Sequence, residues 1–186
     1  MKKKIRSVLL LMVIVGMLIP AVSALPQKEE EMDQSTPFGT GNYFCGMNNK
    51  LVAQAFKPKL PVLSKVELGM FKMENITGNF TISIRQRLNG EDLVSKTVSI
   101  EEVPWKSYGD WVTIDLEDIN VTPNKRYYIV FTSDDARVIL WVMSSYNPYW
   151  RGRPWMFGGS IPFWIPVFLS VTKIPDMSFR TYGYSS

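Results

Sequence analysis

The chain contains no histidine and only one cysteine, Cys45, and these two shortages exclude a good deal of chemistry. Without an imidazole, no catalytic triad built on a histidine base can form. The usual zinc ligand sets are excluded within a single chain for the same reason. One cysteine allows no internal disulfide, so stability must come from core packing, and Cys45 is expected to be a free thiol in a loop. No glycine-rich phosphate loop follows a strand pattern and precedes a helix. After position 50, no window of about 11 residues keeps a convincing helical period. Long apolar runs are also missing, except for one at the N-terminus.

That run reads as an export signal. Lys2, Lys3, Lys4 and Arg6 form a positive start, and Val8 to Ile19 form an apolar core. Pro20 then breaks any helix, and Val22-Ser23-Ala24 offers the small residues a signal peptidase needs. The apolar stretch falls short of the roughly 20 residues a spanning helix requires. Residues 1–24 are therefore expected to be removed, leaving a secreted or surface chain of 162 of the 186 residues with no transmembrane span. Removal also changes the charge. The full chain has 21 basic and 17 acidic residues, and the four basic residues of the signal leave 17 of each. A nucleic-acid partner calls for a basic excess that does not survive export.

Residues 25–50 are polar, acidic, and rich in Gly, Thr and Pro. They are expected to form a flexible tether, with the folded domain spanning 51–186. From there the period is two. Val66, Leu68 and Met70 alternate with Lys65, Glu67 and Gly69; Phe80, Ile82 and Ile84 alternate with Thr81, Ser83 and Arg85. Val112, Ile114 and Leu116 do the same with Trp111, Thr113 and Asp115. Such alternation is the mark of half-buried antiparallel strands. Asn89-Gly90 fits a type I′ hairpin turn, and Thr122-Pro123-Asn124-Lys125 a turn with proline second. Tyr127 to Phe131 and Val138 to Met143 are apolar on both faces, so they are either central and covered or carry ligand-binding aromatics. Short strands at this spacing predict an all-β, two-sheet antiparallel sandwich.

Several segments carry a resemblance. They include Gln54-Ala55-Phe56-Lys57-Pro58, Leu63 to Leu68, Ile82 to Arg85 and Leu88 to Leu93. Trp111 to Leu116, Val121 to Val130, Ser145-Tyr146-Asn147-Pro148-Tyr149 and Phe179-Arg180-Thr181-Tyr182-Gly183 continue it. Together they resemble the carbohydrate-binding-module-like jelly-roll β-sandwiches of secreted bacterial and archaeal proteins, over about 130 residues. The resemblance implies a non-catalytic module that recognises sugar. The chain departs from that pattern between Gly158 and Pro175, where relatives usually have a short polar loop with a tryptophan and this chain has Ile161 to Leu169.

The aromatic segment Tyr146 to Phe168 is the main functional candidate. Flat rings stack on the apolar face of a sugar while arginine or amide side chains hydrogen-bond its hydroxyl rim. Against this stands the ordinary role of aromatics as core residues. Trp150 and Trp155, beside Arg151, Arg153, Gly and Pro, are expected to be exposed and to stack. Tyr146 and Arg153 would orient the ligand, with Trp141 as a fallback if its strand faces a groove. A competing reading uses Ile161 to Leu169 as a docking surface for a protein or envelope partner, or as a segment dipping into a membrane interface. It is too short and too proline-rich to span a membrane, and burial is the favoured expectation. The acidic pairs Glu91-Asp92, Glu117-Asp118 and Asp134-Asp135 read as solvated turns rather than calcium ligands. No cofactor or metal is expected, and no paired carboxylates stand out as glycosidase machinery. Asn75, Asn79 and Asn120 head N-x-Thr sequons and are candidate glycosylation sites.

Overall fold

The architecture comes from a computed structural model, which describes residues 28–39, 42–45, 51–72, 77–105, 109–133, 139–144, 148–158, 161–167 and 175–185. The export signal, Asn75 and Tyr146 lie outside the described residues. Among the described residues, twelve strands and a single 3-10 turn (Ile100–Glu102) follow one another along the chain. The strands are β1 (Glu31–Ser35), β2 (Asn42–Cys45), β3 (Leu51–Phe56), β4 (Val62–Lys72), β5 (Asn79–Arg85) and β6 (Asp92–Ser99). They continue as β7 (Asp110–Asn120), β8 (Tyr127–Ser133), β9 (Ile139–Met143), β10 (Pro154–Gly158), β11 (Ile161–Pro166) and β12 (Phe179–Tyr184).

The strands form two antiparallel sheets packed as a sandwich. In the first, the order is β1-β12-β4-β9-β2, with β7 also paired to β4. Both β12 and β7 pair with Val62 to Leu68, so they flank opposite edges of β4; β9 takes over from β12 along Met70 to Lys72. The second sheet runs β11-β10-β3-β8-β5-β6. The chain changes sheet at nearly every connection after β3. The exceptions are the hairpins β5–β6 and β10–β11.

The alternating residues read from the sequence are the ones that meet between the sheets. Val66, Leu68 and Met70 from β4, Phe80, Ile82 and Ile84 from β5, and Val112, Ile114 and Leu116 from β7 are all buried in one cluster. Each such side chain contributes roughly 1.5–3 kcal/mol on leaving water. The doubly apolar strand β8 is central in its sheet, between β3 and β5, and side chains on both its faces are buried, Ile129 and Phe131 on one and Val130 on the other.

Four expectations change. The segment read as a tether supplies β1 and β2, which pair with β12 and β9. It is held by hydrogen bonds more than by burial. Thr36 N–H donates to Phe179 O at 2.8 Å, and the Glu30 carboxylate accepts from Ser64 Oγ and Lys65 Nζ. Cys45 accordingly ends a strand rather than sitting in a loop. The β5–β6 turn is closed by Gly90 N–H donating to Arg87 O at 2.9 Å, and neither Asn89 nor Gly90 has a positive φ, so it is not a type I′ turn. Finally, 161–166 is the edge strand β11 rather than a buried cover, and Phe163 is 60% exposed. Pro162 and Pro166 lack N–H groups and so blunt that edge against further strand pairing. The proline turn at Thr122 to Lys125 forms as expected: Lys125 N–H donates to Thr122 O at 3.1 Å, and Asn124 takes the positive φ of 64°.

Candidate functional site

Beyond β9 the chain makes a tight turn from Tyr149 to Gly152, closed by Gly152 N–H donating to Tyr149 O at 3.2 Å. Trp150 and Arg151 occupy its two corners, and a corner side chain has nothing beneath it. Trp150 is accordingly 82% exposed. Gly152 lets the turn lie flat on β3, because a Cβ there would stand 1.9 Å from Ala55 O. Arg153 O then accepts from Ala55 N–H at 3.0 Å, which launches β10 alongside β3.

Register decides which side chains share a face. Trp155 is opposite Ala53, which is opposite Val130, which is opposite Ser83, so these four form one row across the outer face of the second sheet. Ala55, two residues along β3, is on the same face. Ala53, Ala55, Val130 and Ser83 are all buried on this face, and Trp155 is half-buried. Further along β10 the Phe157 ring lies 5.7 Å from that of Trp164 on β11, continuing an aromatic strip.

Between the turn and this face is a cavity of about 200 Å³, lined by Ala55, Arg126, Trp150, Arg151, Gly152, Arg153 and Trp155. Arg126 comes from the segment between the proline turn and β8. That segment is fixed by Thr122 N–H donating to Tyr127 Oη at 2.9 Å. Arg151 Nη2 donates to Asn124 Oδ1 at 2.6 Å, a neutral partner, and so holds one guanidinium at the rim. Among the described residues, no carboxylate pairs with Arg126, Arg151 or Arg153. The indole Nε1 of Trp155 is enclosed without a hydrogen-bond partner among the described residues.

A buried polar network anchors the turn from below. Tyr149 N–H donates to Asp176 Oδ2 at 2.9 Å, and Gln54 Nε2 donates to Asp176 Oδ1 at 2.9 Å. Gln54 Oε1 accepts in turn from Met177 N–H at 2.9 Å. Burial raises the Asp176 carboxyl from its ordinary 3.8 to about 7, against the opposing pull of those two hydrogen bonds. The Tyr149 phenol accepts from Lys57 N–H at 3.0 Å and donates to Gln34 Oε1 at 3.1 Å, and its ring meets Phe179 edge-on at 5.2 Å. Burial also pushes that phenol above its ordinary value.

The candidates read from the sequence therefore separate. Trp150, Arg153 and Trp155 come together at the cavity. Trp141 does not: it is 2% exposed, packs near Phe131, and its Nε1 donates to Ser178 O at 2.9 Å, so it is a core residue and faces no groove. Of the two tryptophans expected to be exposed, only Trp150 is; Trp155 lies within strand β10, half-buried with its Nε1 enclosed. Tyr146 lies outside the described residues, while Asn79 and Asn120 are both exposed. Sequence reasoning missed Arg126, Ala55 and Asp176. Asp176, a lone acid among apolar neighbours, carried some signal; Arg126 carried none. Among the described residues, no three cysteine, aspartate or glutamate side chains converge as metal ligands would, and no helix is long and apolar enough to cross a membrane. No protein-family model matches the chain, and no curated protein matches it.

Proposed function

We propose that the protein is an exported, non-catalytic binding module of jelly-roll type that holds carbohydrate at the cavity beneath Trp150. The carrying observation is that Trp150, 82% exposed at the corner of a rigidly anchored turn, stands over a cavity edged by a second tryptophan and three arginines. An exposed indole held by a fixed backbone is a stacking platform that loses little freedom on binding. Trp155 offers a second ring, and Arg153 supplies donors for a hydroxyl rim. The jelly-roll assignment is supported by two four-strand runs, β1-β12-β4-β7 and β3-β8-β5-β6, in which only the β5–β6 link stays within one sheet. Export is carried by the signal pattern of residues 1–24, and exposed Asn79 and Asn120 are open to glycosylation in a host capable of it.

The test is a glycan screen on the exported, purified protein, read by tryptophan fluorescence, with Trp150→Ala and Trp155→Ala alongside. Binding that either substitution abolishes supports the reading. A folded, monodisperse protein that binds no glycan removes it. The competing proposal, docking of a protein or envelope partner through the 161–169 segment, draws on the exposure of Phe163. It expects self-association or co-purification that Phe163→Glu abolishes.

A further inference from the structure

We propose that the sugar held by this cavity is an acidic one, carrying a carboxylate or sulfate on the ring; the inference rests on the carbohydrate reading above and narrows it. Three of the seven lining residues are arginines, and none is acidic. Among the described residues, the one side-chain hydrogen bond of those guanidinium groups goes to an uncharged amide, Asn124 Oδ1 at 2.6 Å. The arginines with carboxylate partners behave differently: Arg85 Nε donates to Asp92 at 2.5 Å and Arg180 Nη1 to Glu67 at 2.9 Å. The chain after residue 24 carries equal numbers of basic and acidic residues, so a bulk excess of positive charge does not account for the cluster.

Three like charges around one small space repel one another, and an anion placed among them relieves that repulsion. A guanidinium presents parallel N–H donors in a planar fork that matches the two oxygens of a carboxylate or sulfate. A neutral sugar would leave that capacity unused. The geometry also divides the labour. Trp150 at the turn corner offers a ring face, Arg151 is pinned at the rim by Asn124, and the side chains of Arg126 and Arg153 are exposed with no protein partner among the described residues. A pyranose carrying one anionic group meets both requirements: its C–H face lies on the indole, and its anionic oxygens reach the forks.

The test compares matched pairs on the exported, purified protein. Oligogalacturonate is set against its methyl ester, and a sulfated galactose oligosaccharide against its desulfated form, which separates carboxylate from sulfate recognition. The expected result is at least about tenfold tighter binding of one acidic member than of its neutral counterpart. That preference should shrink as salt rises from about 50 to 500 mM, because the Debye length then contracts below the width of the site. Arg126→Gln and Arg153→Gln, both at exposed positions, should each reduce the preference severalfold. Equal binding of acidic and neutral members overturns the inference and leaves the carbohydrate reading standing. Failure of every sugar to bind overturns both. Acid binding that survives Trp150→Ala or both arginine substitutions marks charge adsorption elsewhere on the surface and also overturns it.

Discussion

Two patches of this molecule combine arginine with tryptophan, one on each sheet. On the first sheet, Arg180 lies 4.0 Å over the Trp111 ring and donates to Glu67 at 2.9 Å. Tyr182 Oη donates to the same carboxylate at 2.7 Å, and Phe38 meets Trp111 edge-on at 5.2 Å. Every charged group in that patch has found a partner within the chain. At the cavity of the second sheet, Trp150 and Trp155 stand beside three arginines with no carboxylate among the lining residues. The residue types are nearly the same, and the difference is satisfaction. A satisfied patch spends its interactions on holding strands together; an unsatisfied one keeps donors and ring faces for something outside the chain.

The largest effects that sharpen this contrast concern the tryptophans. Trp141→Ala should destabilise the fold by about 3–5 kcal/mol, since it opens a core cavity and removes the hydrogen bond to Ser178 O. Trp150→Ala should change stability by no more than about 0.5 kcal/mol while abolishing glycan binding. Urea denaturation of both variants checks this. A large stability loss at Trp150 would make that residue structural and break the comparison.

The next effect tests the polar anchor under the cavity. The folded-state pKa of Asp176 is raised to about 7 from an ordinary 3.8, so between about pH 4 and pH 7 the folded protein binds more protons than the unfolded chain. Stability therefore falls as pH rises through that window and levels off above it, with as much as about 4 kcal/mol at stake. Denaturant midpoints across pH 4–8 should show the decline, and Asp176→Asn should flatten it. A stability that rises over the same window would show that the hydrogen bonds from Tyr149 and Gln54 outweigh burial.

How much of this was legible in the sequence follows the same division. Strands β4, β5 and β7 announce themselves because a core face and a wetter face alternate at period two, and burial enforces that pattern residue by residue. Strand β1, Glu-Met-Asp-Gln-Ser, shows no such pattern because it is an edge strand held by backbone hydrogen bonds and by its neighbours Glu30 and Thr36. Hydropathy cannot see that kind of attachment. Trp150 could be picked out as exposed by its arginine and glycine neighbours, since those types crowd at turns, whereas the same cues misjudge Trp155, which lies within β10 and is half-buried. Trp141 remains a fallback in the sequence only because a covered strand and a ligand-facing strand are both apolar on two faces. Arg126 is out of reach of local reading altogether. It joins the cavity because β8 pairs with β3 and β3 with β10, a consequence of topology rather than of anything near position 126.

On the satisfied patch, Glu67→Ala strands the Arg180 guanidinium and the Tyr182 hydroxyl at once. The expected loss is about 1–2 kcal/mol, because both groups are only partly desolvated and water recovers some of the interaction. Glycan binding should be untouched, since this face belongs to the other sheet. A thermal melt and a binding isotherm on the same preparation separate the two outcomes. Loss of binding without loss of stability would place the site on the first sheet and reverse the assignment.

The smallest effect is the most discriminating. Arg153→Gln removes one of three neighbouring positive charges, and the Arg153 side chain, unlike that of Arg151, makes no hydrogen bond within the described residues. If the cluster served the fold, the substitution would destabilise it. Since the arginines repel one another and no carboxylate among the described residues pairs with them, stability should instead stay constant or rise by a few tenths of a kcal/mol, most visibly at low salt. A residue whose removal leaves the fold as stable or more so, and weakens ligand binding, is held in place by something other than folding. Careful melts of Arg153→Gln at two ionic strengths would read this directly, and destabilisation at both would return Arg153 to the structural side of the comparison.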